Sequence, residues 1–427
     1  MKVLSCIIPL LLTLSLEAKL ETRVHADTAI LMNADTGAIL YEKNPHKQRA
    51  PASITKIATA FVALEEKGNT LQTPVAASRN AIGSISTAHR EKSNFTVPTH
   101  WIEVGGTHIG IKAGEELTFE TLLYGLMLCS GNDAANVIAE YVCDGSIPQF
   151  MDKVNERLQE IGCSNTYFNS AHGHHHPEHL TTAYDMALLT KEALKNPNFR
   201  KIVSTTSFPR PETKFQKGMT LVQSNKLLRK SSPYYYDKAI GVKTGHGSRA
   251  KQTFVAAATD QGRTLIVVLM GTKERKDNFK DAAKLFELAF NQPQLTAMLI
   301  NSGPQPYTLT LEGSSKPLKT YSKNAYQVEY YQGEEPKIEA QLTWEKDLQI
   351  PIQKHQKVAS ITLLNADGAP LQEIPLYAKK ALKHSGIKRI QQLLLLQAPL
   401  TEYLLLALLL AGILLCYLIF SKRRINS

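Results

Sequence analysis

Ser53-Ile-Thr-Lys56 places a serine and a lysine three residues apart, where one helical turn would put a nucleophile and its base on one face. A serine hydroxyl attacks once a base takes its proton, and a lysine can do so when burial and neighbouring cations lower its pKa. Two further strings follow in order, Ser130-Gly-Asn132 and Lys243-Thr-Gly245. Ser130 can carry a proton between Lys56 and a leaving amine, and Asn132 can hold a substrate amide. Lys243 and Thr244 end an apolar run, so an extended peptide adding along that strand edge would bring its terminal carboxylate to them. Gly245 removes a side chain where a backbone must come close. The backbone N–H groups of Ser53 and His246 are candidate oxyanion donors. Single strings carry little weight: Ser-x-x-Lys recurs at Ser248 and Ser385, and Ser-x-Asn at Ser78 and Ser322. Lys-Thr-Gly occurs once, and the order and wide spacing of the three strings point to acyl transfer.

The elements that must position these residues are legible in outline. Residues 28–42 read as two strands around an Asn-Ala-Asp-Thr-Gly turn. Pro51 and Ser53 open a helix over 54–67, and a second helix over 118–128 leads straight into Ser130, with Gly131 expected to make the bend. Helices are expected over 133–142, 147–161, 181–195 and 278–290, and strands over 239–243, 254–258 and 264–270. Strands at both ends with helices between predict an α/β (α+β) sandwich whose antiparallel sheet joins the two ends. From about residue 292 short alternating runs between Gly, Pro and Ser turns predict a small all-β domain.

The chain has 427 residues, 43% hydrophobic and 20% charged, with a formal net charge of +11. That suits globular domains and an anionic envelope surface, and no nucleic-acid partner is assigned. Met1-Lys2 and the apolar run 3–16 have the layout of a secretory signal, with cleavage after Ala18 or Ala26. Residues 403–420 carry no charge and, as a helix, would span about 27 Å, enough for a bilayer core. Lys422, Arg423 and Arg424 follow, which puts the tail in the cytoplasm and the bulk of the chain outside. The expected layout is a signal at 1–26, a catalytic domain at 27–292, a β-rich domain at 293–377, a basic juxtamembrane segment at 378–402, a transmembrane helix at 403–420 and a tail at 421–427. Cys129, Cys143 and Cys163 are the cysteines of the exported part, which argues against a disulfide framework but leaves a Cys143–Cys163 bridge open. The run of histidines from His172 to His179 reads as a solvated loop, and no metal or cofactor is assigned. Cys129 reads as a buried thiol.

The three strings, with Ala50-Pro-Ala-Ser-Ile-Thr-Lys56, Asp185-Met-Ala187 and Gly241-Val-Lys-Thr-Gly-His246, resemble the penicillin-binding proteins and serine β-lactamases, and within them the low-molecular-mass D-alanyl-D-alanine carboxypeptidases. The resemblance covers residues 27–292 and, more loosely, the β-domain. It implies a β-lactamase/transpeptidase-like fold and removal of the terminal D-alanine from peptidoglycan pentapeptides through an acyl-enzyme on Ser53. It also implies β-lactams as inhibitors and a bacterial cytoplasmic membrane location facing the periplasm. Catalysis falls to Ser53, Lys56 and Ser130, and substrate binding to Asn132, Lys243, Thr244, Gly245 and His246. Two departures stand out: Tyr184 takes the place of an expected arginine before Asp185, and Asn-Pro-His-Gly becomes Asn169-Ser-Ala-His172-Gly173. Neighbouring readings are a β-lactamase, for which no Glu-x-x-Leu-Asn string follows Asn132, a DD-endopeptidase, and a non-catalytic wall-binding module.

Overall fold

The computed structural model describes residues 5–8, 19–365, 368–384, 404–405 and 407–414. The chain divides into two compact units. One is Ser15–Gln294 with Tyr331–Glu335; the other holds Leu295–Tyr330 and the residues from Pro336 onward, with the strand Ser5–Ile8.

The first unit is built on a five-stranded antiparallel sheet ordered Ala239–Gly247, Lys251–Asp260, Arg263–Thr272, Thr28–Asn33, Ile39–Lys43. The expected joining of the two ends of the unit in one sheet is therefore present. Side chains alternate between two cores, as the two-residue period of a strand requires. Ile30, Met32, Val255, Ala257, Ile266 and Val268 face one core, and Ala29, Leu31, Phe254, Ala256, Leu265 and Val267 face the other. Because both faces are covered, these strands read as nearly continuous apolar runs. The first core is completed by helices Lys56–Lys67, Phe119–Leu128, Asn132–Val142, Ile147–Glu160 and Ala183–Ala193, the second by Arg275–Phe290. Thr118 caps its helix by accepting the N–H of Thr121, so that helix starts where its sequence says it should.

Residues 19–26, which fall inside the expected leader, are part of this unit. Val24 and Ala26 are buried in the second core, and Lys43 Nζ donates to both their carbonyls, at 3.1 and 2.6 Å.

The second unit is all-β. Its sheet runs Ser5–Ile8, Glu339–Trp344, Lys357–Leu364, Pro370–Ala378, Leu318–Ser322, Gly303–Leu309, over a core that includes Leu318, Trp344, Ile361 and Ile374. Residues 1–4 and 9–18 of the expected leader, most of the juxtamembrane segment, the end of the apolar run at 415–420 and the tail lie outside the described residues. Residues 404–405 and 407–414 are helical and exposed, and among the described residues no helix is long and apolar enough to cross a membrane. Cys129, Cys143 and Cys163 are free thiols, so the Cys143–Cys163 bridge left open above is not formed.

Candidate active site

Ser53 sits in a 3-10 turn, Ala52–Thr55, that runs into the helix Lys56–Lys67. Ala52 takes a left-handed conformation, φ +51°, sparsely populated for a residue with a Cβ. Long-range contacts hold it there. Thr253 Oγ1 donates to the Pro51 carbonyl at 2.8 Å, and Thr55 Oγ1 donates to the Ala52 carbonyl at 2.8 Å. Thr55 in turn is 2.9 Å from His179 Nε2.

Lys56 is wholly buried. Its Nζ lies 3.1 Å from Ser53 Oγ, 2.7 Å from Asn132 Oδ1 and 2.7 Å from the His172 carbonyl oxygen. Burial pushes its pKa well below the usual lysine value, the Lys243 charge adds to that, and Asp133 opposes it. A neutral amine with two N–H groups can keep the Asn132 and His172 contacts and turn its lone pair to Ser53.

The second string follows the helix Phe119–Leu128. Here the expected role of Gly131 is corrected: Ser130 itself adopts the left-handed turn, φ +65°, whereas Gly131 has φ −58°. Gly131 is there for space, since a Cβ would stand 3.0 Å from Asp133 Oδ1 and 3.2 Å from Ile109 Cγ2. Asn132 starts the next helix. Its N–H donates to the Thr107 carbonyl at 2.8 Å, while the Asp133 carboxylate accepts the N–H groups of Ile109, Gly110 and Ile111. Among the described residues no hydrogen bond joins Ser130 Oγ to either lysine.

The third string lies on Ala239–Gly247, the outermost strand of the sheet, beside the nucleophile. A Cβ on Gly245 would be 3.0 Å from Ser53 N, so glycine is what lets the strand come this close. Thr244 Oγ1 is 2.9 Å from Ser224 Oγ, and Arg275 donates to the Ser224 carbonyl at 3.0 Å. Lys243 differs from its expected place at the strand edge. It is fully buried, its Nζ donates to the Thr244 carbonyl at 2.9 Å, and burial, then the Arg275 charge, pushes its pKa down to about 7.

These groups open on a cavity of about 690 Å³ lined by Ser53, Ser130, Asn132, Thr244, Gly245 and His246, with both lysines behind the wall. Sequence reasoning did not find Ser224, Arg275 and Arg249, which line it too and belong to none of the three strings. Tyr184 is not part of this lining; its ring packs on His46 at 4.7 Å. Cys129 is half-buried at the cavity wall, not the buried thiol expected.

The solvated histidine loop is also corrected. His172 and His179 are about 1% exposed. His172 Nε2 donates to the His100 carbonyl at 3.1 Å, and His179 Nδ1 accepts the Asn169 N–H at 2.9 Å while its ring stacks on Phe168. Burial holds His172, His174 and His179 below the usual histidine range, the latter two at about 3, so they are neutral at physiological pH. Among the described residues no cluster of three or more His, Cys, Asp or Glu side chains has the arrangement of a metal site.

Comparison with known proteins fits this geometry. The family model for D-alanyl-D-alanine carboxypeptidases matches residues 15–274, and that for the C-terminal domain of penicillin-binding protein 5 matches residues 300–384. The chain is 29% identical to the D-alanyl-D-alanine carboxypeptidase DacF of Bacillus subtilis, over 86% of this chain and 88% of that one. It is 31% identical to the D-alanyl-D-alanine carboxypeptidase of Streptomyces sp. strain K15, over 61% of this chain and 85% of that one. The crystal structure of penicillin binding protein 5 from Haemophilus influenzae superposes with a TM-score of 0.56 at 25% identity, covering 86% of this chain and all of that one.

Proposed function

Because the chain belongs to the D-alanyl-D-alanine carboxypeptidase family of serine peptidases, we propose that it releases the terminal D-alanine of peptidoglycan pentapeptides through an acyl-enzyme on Ser53. Neutral Lys56 takes the Ser53 proton as Oγ bonds to the carbonyl carbon of the penultimate residue. The Ser53 and His246 N–H groups receive the oxyanion. The C–N bond breaks, and the proton reaches the leaving D-alanine amine by way of Ser130. Water then adds to the ester, the C–O bond breaks, and Ser53 recovers its proton. Asn132 holds the substrate amide. Thr244, Ser224 and Arg275 receive the terminal carboxylate, with Lys243 adding positive potential from behind the strand.

The observation that carries this reading is the buried Lys56 amine, 3.1 Å from Ser53 Oγ with its pKa pushed down. β-Lactams, as carboxylate-bearing cyclic amides, would acylate the same oxygen. Ser53→Ala abolishes both D-alanine release and covalent penicillin labelling, scored by mass spectrometry; a labelled Ser53→Ala protein refutes the assignment of the nucleophile.

The chain is read as an envelope enzyme with its catalytic domain outside the cytoplasmic membrane. The apolar run 403–420 and the basic residues after it support a C-terminal anchor. Either cut removes the edge strand Ser5–Ile8, but cleavage after Ala18 is favoured over Ala26 because the later cut would in addition strip Val24 and Ala26 from the core.

A further inference from the structure

Strands Ser207–Arg210 and Met219–Val222 form a two-stranded hairpin that pairs only with itself among the described residues. Its tip is tied to the rest of the unit by a buried carboxylate. Neither Glu115 nor Arg210 has exposed side-chain surface, and Arg210 Nη2 donates to Glu115 Oε1 at 2.6 Å. Thr213 Oγ1 donates to the same oxygen, while Gln216 Nε2 and the Lys112 N–H donate to Oε2 at 2.8 and 2.9 Å. Burial by itself would raise the Glu115 pKa. These hydrogen bonds and the Arg210 charge outweigh it and hold the group below the ordinary carboxylate value, so it is ionised. Glu115, Arg210, Thr213 and Gln216 are not among the residues that line the cavity.

The cluster leads to the chemistry in few steps. Gln216 Nε2, hydrogen-bonded to Glu115, also donates to the Gly110 carbonyl at 2.8 Å, and the Gly110 N–H donates to Asp133 Oδ2 at 2.9 Å. Gly110, at φ +82°, is therefore gripped from both sides. Asp133 follows Asn132 in the chain, and Asn132 Oδ1 accepts Lys56. Ile109 fills the space that Gly125 and Gly131 leave, since a Cβ on them would stand 2.6 and 3.2 Å from its side chain. The loop 109–112 thus packs on the turn that carries Ser130 and Asn132. Past its last strand the hairpin runs into Ser224, whose N–H donates at 3.1 Å to the carbonyl of Leu128, the last residue of the helix before Cys129-Ser130.

A buried charge pair is a poor device for stability alone, because apolar side chains of the same bulk often do as well or better. Arg210 Nε and Nη1 have no hydrogen-bond partner among the described residues, so the pair does not even satisfy all its own groups. What it provides is a pair of oxygens fixed in place, from which hydrogen bonds run in set directions to the hairpin and to the loop.

We propose that Glu115 is a positioning residue: through Gln216, Gly110 and Asp133 it holds Asn132 where that side chain receives the amide of the acyl donor. This rests on the acyl-transfer reading above and adds to it a residue that lies outside all three strings and outside the cavity.

The test uses benzylpenicillin, which carries a side-chain amide, and 6-aminopenicillanic acid, which has a free amine there. The ratio of their second-order acylation constants reports the amide contact. Both constants are read on the same protein, so a reduced folded fraction cancels from the ratio. In the wild type the ratio favours benzylpenicillin. Q216A keeps the Arg210–Glu115 pair, cuts the link to Gly110, and lowers the ratio about two- to threefold. E115Q lowers it by up to about tenfold, the range of one neutral hydrogen bond. E115Q also melts at lower temperature, because it leaves Arg210 charged and unpaired in the interior. A wild-type ratio in either variant, whatever the change in melting, makes Glu115 structural only and overturns the proposal with the carboxypeptidase reading intact. If E115Q does not fold, Q216A decides alone. Equal constants for the two penicillins in the wild type overturn the proposal as well. Absence of a covalent adduct with either penicillin overturns the acyl-transfer reading, and the proposal with it.

Discussion

Gly245→Ala tests whether the close approach of strand and nucleophile is what makes the site work. The added methyl would stand 2.4 Å from Thr253 Oγ1, 3.0 Å from Ser53 N and 3.1 Å from Ile54 N. The first contact is about 1 Å short of ordinary van der Waals separation. Two responses are open. Thr253 can rotate, which leaves the Pro51 carbonyl without the hydroxyl that donates to it at 2.8 Å. Alternatively the strand can retract, which draws His246 N from the oxyanion position. Overpacking costs about 1–3 kcal/mol, and an unpaired buried carbonyl costs about the same. For a unit of this size each kcal/mol lowers Tm by about 2–4 °C, so a fall of roughly 2–12 °C is expected. Acylation should suffer more, because displacing reacting groups by about 1 Å costs on the order of a hundredfold in rate. The assay is the second-order rate constant for acylation by a fluorescent penicillin, with thermal melting in parallel. An acylation constant within threefold of wild type, or a loss no larger than the melting shift accounts for, refutes the reasoning.

Lys243→Met removes a like charge that depresses Lys56, so the Lys56 pKa rises and neutral amine is available only at higher pH. The acid limb of the acylation pH profile moves upward, and the gap from wild type narrows above about 7, where Lys243 itself loses its proton; an unmoved limb contradicts this. His179→Ala removes the contacts to Thr55 and Asn169 and the stacking on Phe168, and is expected to cost about 2–4 kcal/mol in melting experiments. A fully stable variant would restore the solvated-loop reading. Because His174 and His179 titrate near 3 when folded, against about 6.5 when unfolded, the unfolded chain binds more protons between those values. Their contribution to stability is complete above pH 6.5 and is lost as pH falls toward 3, and Tm measured from pH 7.5 to 4 should decline, less steeply in His179→Ala.

What the sequence disclosed was mostly local. Ser53 and Lys56 meet because one turn of backbone brings residues three apart together, a spacing that can be read from the chain itself. The sheet strands were legible from their apolar runs, with ends displaced by a few residues. Ser130 was the exception within a local motif, since the turn was assigned to the neighbouring glycine. The histidines misled for a different reason. Three consecutive imidazoles before Pro177 look polar, while the burial of His172 beside them depends on partners such as the His100 carbonyl, 72 residues away in the chain. Ser224 and Arg275 reach the cavity by the same long-range route, with no spacing to mark them. Lys243 gave the right position and the wrong exposure: its side chain turns into the protein, and the threonine beside it meets the cavity.

The nucleophile's turn depends on residues outside every motif. Ala52 holds φ +51°, a conformation that costs on the order of 1–3 kcal/mol and persists only where surrounding contacts impose it. Thr253 fixes the carbonyl before it, and Thr55, backed by His179, fixes its own. Gly173, at φ +89°, lies so close that a Cβ there would be 2.1 Å from the Ala52 oxygen. The segment that turns at Gly173 also delivers the His172 carbonyl to Lys56. The histidine loop therefore acts on both members of the Ser53–Lys56 pair, orienting the turn from one side and binding the amine from the other. Because its buried imidazoles are uncharged, it does so without adding a further cation beside Lys56. Were they protonated, the lysine would lose its proton more readily, but the bonds in which His172 Nδ1 and His179 Nδ1 accept the His174 and Asn169 N–H groups would be lost. Neutral histidines at this wall keep the base and the nucleophile in register.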